Sequence, residues 1–158
     1  MQDQKLKIFI VEDDPFFGNL VKNKISENGY SEPTLIDNSA TFLERLLEMP
    51  DIVILDFNID QMNGIDLLRK IKSVNPNIHV ILLSAQHEMS VAVNSLKYGA
   101  YDYIEKNDSC LDRVLHILDR IKVTNQMLQK NQKLNSFKKI AIVITGVVIV
   151  STLIFALS

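Results

Sequence analysis

Three carboxylic acids, a hydroxyl and an amine follow short apolar runs in this sequence. Glu12 and Asp13 come after LKIFIV, Asp56 ends DIVILD, Ser84 follows IHVILL, and Lys106 comes two residues after AYDYI. If these runs are parallel strands of one sheet, their carboxyl ends meet at one edge, which is where open α/β folds bind ligands. We therefore predict that the five side chains form a single site.

The chemistry open to this set is phosphoryl transfer to a carboxylate. Neighbouring carboxylates stay ionised together only if a cation offsets their charge, and such oxygen ligands favour a hard ion, for which Mg²⁺ is the natural candidate. Asp56, at the end of a buried strand, could attack phosphorus and form an acyl phosphate. The metal and the Lys106 ammonium would offset charge on the transferring oxygens, and Ser84 could donate a hydrogen bond to the attached group.

The apolar pattern predicts five strands that alternate with five helices. The strands are expected at 6–11, 34–36, 51–56, 78–83 and 100–104, and the helices at 15–28, 38–48, 64–74, 89–98 and 110–122. Unbroken apolar strands are typical of parallel sheets that are buried on both faces. The predicted fold class is therefore α/β, with a doubly wound five-stranded parallel sheet over residues 5–122.

Two of the helices carry apolar residues whose spacing predicts an inward face. Pro15 suits the first turn of one helix and Gly29 its end, while Asn38 or Ser39 can cap the other. The residues expected to face inward are Phe16, Leu20, Val21 and Ile25 in the first helix and Phe42, Leu43, Leu46 and Leu47 in the second.

Composition excludes several other classes of protein. The chain has 158 residues and a net charge of −2, so it lacks the basic patch of a nucleic-acid-binding domain. Its single cysteine cannot form a disulfide framework, and no Cys or His residues have the spacing of a zinc site. The three histidines share no spacing, and we interpret none of them as a phosphodonor or a ligand.

Four segments together resemble the response-regulator receiver family. They are IFIVEDDP, ILDFNIDQMNGID, VILLSA and GAYDYIEK, and the resemblance extends over residues 5–122. It implies a flavodoxin-like receiver fold and a two-component phosphorelay in which a histidine kinase or phosphotransfer protein phosphorylates Asp56. Self-phosphorylation and self-dephosphorylation would be the only chemistry, so a conventional enzyme is not expected.

The resemblance also implies a Mg²⁺ site. Glu12 and Asp13 match the family's acidic pair, in which Asp13 would be the direct metal ligand and Glu12 would act through water. Asp56 would be a ligand as well as the acceptor. Asn58 matches the position whose backbone carbonyl completes the metal shell.

Further positions match the residues that respond to phosphorylation in this family. Ser84 matches the hydroxyl residue that follows the phosphoryl group, and Lys106 matches the lysine that contacts it. Tyr103 matches the aromatic switch that turns inward when the hydroxyl residue moves. Gly64 matches the glycine that opens the turn into the third helix.

Two positions depart from the family pattern. Asp60 stands where proline is usual, and its carboxylate is expected either to change the loop or the kinase interface, or to be solvated. Asn107 stands where the lysine is usually followed by a cis proline. A cis bond before a residue other than proline costs about 2.5–4 kcal/mol, so we expect the loop after Lys106 to be trans or more mobile.

The last 19 residues, 140–158, contain no charged side chain. As a helix they would be roughly 28 Å long at about 1.5 Å per residue, close to the roughly 30 Å hydrocarbon core of a bilayer. The run predicts a single-pass transmembrane helix. Lysines 133, 138 and 139 precede it and no charge follows, which predicts a receiver on the cytoplasmic side of the inner membrane.

Residues 123–139 are polar and predict a helical linker. Leu111, Val114, Leu118, Ile121 and Leu128 have an a/d-like spacing that would allow a two-stranded coiled coil and a weak homodimer. The pattern fades at Gln132 and Asn135, which favours a marginal helical stalk.

The sequence therefore predicts a membrane-anchored receiver. Its output would be contact with an unknown downstream protein, or removal of phosphate from a shared relay. One alternative is a membrane-localised scaffold that binds partners without phosphorylation. Another is an aspartyl-phosphate phosphatase, against which the sequence Asp56-Phe57-Asn58 argues because it is not the DxD pattern of such enzymes.

Overall fold

A computed structural model of the chain describes residues 5–60, 62–85 and 89–156, except for the side chains of 89, 143, 147–150 and 152–156. The chain divides between Leu118 and Asp119 into two units. The first unit contains every strand among the described residues, and the predicted site lies within it.

The first unit is built on a five-stranded parallel sheet. Its strands are β1 (Ile8–Val11), β2 (Thr34–Ile36), β3 (Ile52–Asp56), β6 (His79–Ser84) and β7 (Asp102–Glu105), in the order β2-β1-β3-β6-β7. The predicted flavodoxin-like sheet is confirmed. A hairpin that was not predicted, β4 (Asn58–Ile59) with β5 (Met62–Asn63), follows β3 directly.

The helices alternate with these strands. They are α1 (Pro15–Glu27), α2 (Ser39–Arg45) with a 3₁₀ turn at Leu46–Glu48, α3 (Gly64–Val74), α4 (Met89–Lys97) and α5 (Cys110–Ala156). The strand order changes direction between β1 and β3, and crevices at such points are the usual ligand sites of open α/β sheets.

Strand register brings the ends of four strands to the same level. Val11 is paired with Leu55, Asp56 with Leu83, and Ser84 with Glu105. The residues that follow β1 and those that end β3, β6 and β7 therefore share one edge of the sheet.

The inward face of α1 differs from the prediction at two positions. Val21 and Ile25 are buried, but Phe16 is 78% exposed and Leu20 is 41% exposed. Phe16 and Ile25 are nine residues apart, so at about 100° per residue they lie on opposite sides of the helix. The buried face is formed by Gly18, Val21 and Ile25.

The prediction for Leu47 is also wrong. Phe42 in α2 and Leu46 at the start of the 3₁₀ turn are buried, whereas Leu47 is 75% exposed. Leu47 follows Leu46 by about 120° in this 3₁₀ turn, which directs its side chain away from that of the buried Leu46.

The predicted two-stranded coiled coil cannot begin at the start of the last helix. Val114 and Leu118 are 1% and 0% exposed because they belong to the core of the first unit. The second unit is helical from Asp119 to Ala156, which includes the predicted linker 123–139.

The predicted transmembrane helix lacks structural support. Within the described residues, no helix is both long and apolar enough to cross a membrane. Within the predicted span 140–158, the side chains of 143, 147–150 and 152–156 and all of residues 157–158 lie outside what the structure describes.

Candidate functional site

The ammonium group of Lys106 lies between two buried carboxylates. Its Nζ is 2.8 Å from Glu12 Oε2 and 3.1 Å from Asp56 Oδ1. The Glu12 side chain is 2% exposed and that of Asp56 is 10% exposed. The structure thus places the acid after β1, the acid at the end of β3 and the amine after β7 in direct contact.

Asp13 completes a cluster of three acids. One carboxylate oxygen from each of Glu12, Asp13 and Asp56 lies within 4.8 Å of the others. Asp13 is exposed while the other two are buried, so the cluster opens to solvent on the Asp13 side.

The backbone around Asp56 is held by close contacts. Phe57 N donates to Leu83 O at 2.8 Å, and Gly64 N donates to Phe57 O at 2.6 Å. A Cβ at Gly64 would lie 2.8 Å from Phe57 Cα and 2.9 Å from Asp56 O, and neither backbone atom can move aside. Gly64 is therefore required for the close approach of α3 to the end of β3.

The three central groups have shifted pKa values. Burial, and to a lesser degree the charge of Asp56, raises the pKa of Glu12 to about 7, against the opposing effect of Lys106. Burial also raises the pKa of Asp56. For Lys106, burial alone would lower the pKa, but its contacts with Glu12 and Asp56 outweigh burial and raise it. One ammonium therefore offsets only part of the negative charge.

The donor set fits a hard divalent cation. Carboxylate oxygens are the ligands that Mg²⁺ prefers, and added positive charge would stabilise the ionised form of buried acids whose pKa values are raised. The backbone of Asn58 lowers the pKa of Asp56, but burial outweighs this effect. Metal ligation through the Asn58 carbonyl stays a prediction.

The two predicted switch residues lie on adjacent strands. Ser84, at the end of β6, is fully buried, and its carbonyl accepts a 2.7 Å hydrogen bond from Lys106 N. Tyr103 on β7 is half-buried and packs against the main hydrophobic core. Their response to phosphorylation stays a prediction.

Phe17 also belongs to the site, although the sequence reasoning did not include it. Lys106 Nζ lies 4.5 Å from the centroid of its ring, a distance at which the ring face attracts a cation. Asp14 caps α1 by accepting from Phe16 N and Phe17 N, and this places Phe17 in the first turn beside the end of β1. The sequence did contain a signal for Phe17, namely an aromatic residue in the first helical turn after Glu12 and Asp13.

The two departures from the family pattern have structural consequences. The Lys106–Asn107 bond is trans, one of the two outcomes expected. Asn107 Oδ1 accepts hydrogen bonds from Ser109 N and Oγ, which anchors this loop. Asp60 is not simply solvated, because its Oδ2 accepts a 2.8 Å hydrogen bond from Ser39 N.

Residues 8–119 match the family model described as "Response regulator receiver domain". The chain belongs to this family. It is 33% identical to the chemotaxis protein CheY of Thermotoga maritima, over 63% of this chain and 84% of CheY. It is 30% identical to a probable transcriptional regulatory protein, TcrX, of Mycobacterium tuberculosis, over 72% of this chain but only 49% of TcrX.

A solved receiver domain has a similar fold. The receiver domain of the Francisella response regulator 1452 superimposes with a TM-score of 0.68 at 26% identity, covering 76% of this chain and 98% of that domain.

Proposed function

We propose that this receiver domain accepts a phosphoryl group on Asp56 from a phosphohistidine of a histidine kinase or phosphotransfer protein. The observation that carries the proposal is the Lys106 ammonium, 3.1 Å from Asp56 Oδ1 within a cluster of three acids. Family membership supports it independently.

In the proposed reaction, a carboxylate oxygen of Asp56 attacks phosphorus. The new O–P bond forms as the P–N bond to the donor imidazole breaks, and the electron pair of that bond passes to the imidazole nitrogen. Lys106 can then exchange its contact with an Asp56 oxygen for a contact with a phosphoryl oxygen. Hydrolysis reverses the state of Asp56, since water adds to phosphorus and the carboxylate leaves.

Mg²⁺ would be held by Glu12, Asp13, Asp56 and the Asn58 carbonyl. When bound, it would supply positive charge against the phosphoryl oxygens. All the chemistry takes place on the protein's own Asp56, so we propose no turnover of an external phosphate ester.

Phosphorylation by a small donor tests this proposal. The wild-type chain, incubated with acetyl phosphate and Mg²⁺, should gain one phosphoryl group by intact mass spectrometry. Asp56→Asn should abolish the gain, whereas Asp66→Asn, which removes an exposed acid from α3, should leave it unchanged. An unphosphorylated wild type, or an unchanged gain in Asp56→Asn, contradicts the proposal.

For the output we propose a surface change that is read by a separate downstream protein, or removal of phosphate from a shared relay. Ser84 and Tyr103 lie on adjacent strands and would carry the change from the phosphoryl group to the surface. The relatives' names concern chemotaxis and transcriptional regulation. A pull-down with phosphorylated wild type and with Asp56→Asn separates the two outputs, because only the first requires a partner that depends on phosphorylation.

We also propose, from the sequence alone, that residues 140–158 anchor the chain in the inner membrane with the receiver in the cytoplasm. Support comes from the absence of charge in this run and from the lysines that precede it. The chain should pellet with membranes after carbonate extraction, and deletion of residues 140–158 should release it. Pelleting that survives the deletion contradicts the anchor.

A further inference from the structure

Asp60 connects three separate segments at the edge of the site. It lies four residues after Asp56, between the strands of the β4–β5 hairpin. Its φ is 52°, in the left-handed region, which aspartate tolerates better than most residues with a side chain. It makes one hydrogen bond through its side chain and another through its backbone.

The side chain of Asp60 holds the start of α2. Asp60 Oδ2 accepts from Ser39 N at 2.8 Å, and Asn38 Oδ1 accepts from Thr41 N at 2.8 Å. The first N–H groups of a helix have no partner within the helix, and negative charge is favourable there. These two acceptors therefore pair the N–H groups of Ser39 and Thr41 in the first turn of α2.

The backbone of Asp60 contacts the acidic cluster. Asp60 N donates to Asp13 Oδ2 at 3.3 Å. This bond occupies one oxygen of the most exposed acid of the cluster and leaves the other oxygen available to a cation. The direction of the N–H depends on the left-handed conformation of Asp60.

The hairpin is fixed at both ends. At its base, Gly64 N donates to Phe57 O at 2.6 Å, and Ile59 is fully buried. At its tip, the bond from Ser39 is the contact that ties the Asp60 side chain to another element among the described residues.

We propose that Asp60 is a positioning residue for Asp13. Its carboxylate ties the hairpin tip to α2, and its N–H thereby orients the Asp13 carboxylate for a divalent cation. The inference rests on the proposed function, since it assigns Asp13 as a Mg²⁺ ligand. It also links the start of α2 to the metal site, so a substitution at Ser39 should alter the orientation of the Asp13 carboxylate.

Two variants remove the hydrogen bond between Ser39 N and Asp60 Oδ2, one at the acceptor and the other at the donor. Asp60→Gly removes the carboxylate but adopts a positive φ without strain. Ser39→Pro removes the N–H that Asp60 accepts, at the first position of a helix, where proline is favoured. The preceding residue, Asn38, has φ −151° and ψ 155°, a conformation that proline allows before it.

Each variant should weaken Mg²⁺ binding by about tenfold, the usual effect of removing a group that orients a metal ligand. Binding is measured by titrating Mg²⁺ into the full chain and following backbone amide NMR shifts. Asp60→Asn keeps an acceptor oxygen and tolerance of this φ, so it should stay within about twofold of wild type. Asp37→Asn is the matched control: it removes one charge near α2, and Asp37 Oδ1 accepts a hydrogen bond from Asn38 Nδ2 rather than from the hairpin.

A second measurement needs no metal. In the metal-free chain, Asp60→Gly should speed the hydrogen exchange of the Ser39 amide, and both Asp60→Gly and Ser39→Pro should shift the Asp13 carboxyl carbon resonance. A purely structural role for Asp60 would lower thermal stability and leave that resonance and the Mg²⁺ affinity in place.

The outcomes are separable. If wild type binds Mg²⁺ and both breaking variants bind it equally well, the inference is overturned while the proposed function stands. An equal loss in Asp60→Gly and Asp37→Asn, with Ser39→Pro unchanged from wild type, would attribute the effect to net charge and would also overturn the inference. If wild type binds no Mg²⁺, the proposed metal site fails, and the inference fails with it.

Discussion

At the scale of the residue, the site holds more acidic groups than basic ones. Lys106 contacts both Glu12 and Asp56, yet the pKa values of both acids are raised because burial outweighs this single ammonium. The residue types and their places at strand ends were enough to predict this grouping. Burial was not visible in the sequence, and it determines the direction of the shifts.

The pKa of Glu12 leads to a prediction about stability and pH. Because the pKa rises from 4.5 to about 7 on folding, the folded state holds the Glu12 proton more tightly than the unfolded state. The contribution of Glu12 is therefore present in full below about pH 4.5 and is lost as pH rises through 7.

Urea unfolding of the metal-free chain at pH 5 and pH 8 measures this effect. The stability of wild type relative to Glu12→Gln should fall between the two pH values, by on the order of 1 kcal/mol. If the stability of wild type relative to Glu12→Gln is constant with pH, or rises with it, folding does not raise the pKa of Glu12.

Phe17 makes a second prediction at this scale. Loss of its ring in Phe17→Leu should slow phosphorylation by acetyl phosphate severalfold, because a cation–π contact of about 0.5–2 kcal/mol no longer holds the Lys106 ammonium. Phe17→Tyr keeps the ring and should keep the rate. Phe16→Leu is the matched control, since Phe16 is the neighbouring aromatic and is 78% exposed. If Phe17→Leu and Phe16→Leu slow phosphorylation equally, this role of Phe17 is contradicted.

At the scale of the element, continuous apolar runs predicted the sheet well. All five parallel strands occur where the runs occur, because a strand buried on both faces needs apolar side chains at every position. Helix faces were harder. Phe16, Leu20 and Leu47 are apolar but exposed, and their spacing alone did not show which side of the helix meets the sheet.

The β4–β5 hairpin was not predicted because its strands have only two residues each, which is too short for any periodicity. Its contacts depend on Gly64 and on Asp60 reaching Ser39, which lies 21 positions away in the chain. Asp60 was recognised as a departure from the family pattern, but its partner could be seen only in the fold.

Gly64 provides the prediction for this element. Gly64→Ala should destabilise the chain by about 1–3 kcal/mol, because the new Cβ would force apart the backbones of Phe57 and the start of α3. Gly146→Ala is the control, since its Cβ would meet no atom within 4 Å. Denaturant unfolding compares the two, and equal stability of Gly64→Ala and wild type would contradict the close approach.

At the scale of the whole molecule, the order and spacing of four short motifs predicted the family, and the match over residues 8–119 confirms it. The second unit was predicted less completely. Its helical state was expected, but the a/d-like spacing proposed for a coiled coil included Val114 and Leu118, which are core residues of the first unit. A heptad-like spacing does not distinguish a face packed within one chain from a face open to another.

The central claim is that Asp56 is the acceptor. After incubation of wild type with acetyl phosphate and Mg²⁺, borohydride reduction converts an aspartyl phosphate to homoserine, which peptide mass spectrometry can locate. We expect homoserine at position 56 and at no other acid. Homoserine at position 13 or 14 instead, or at no position in a chain that has gained a phosphoryl group, would contradict the account.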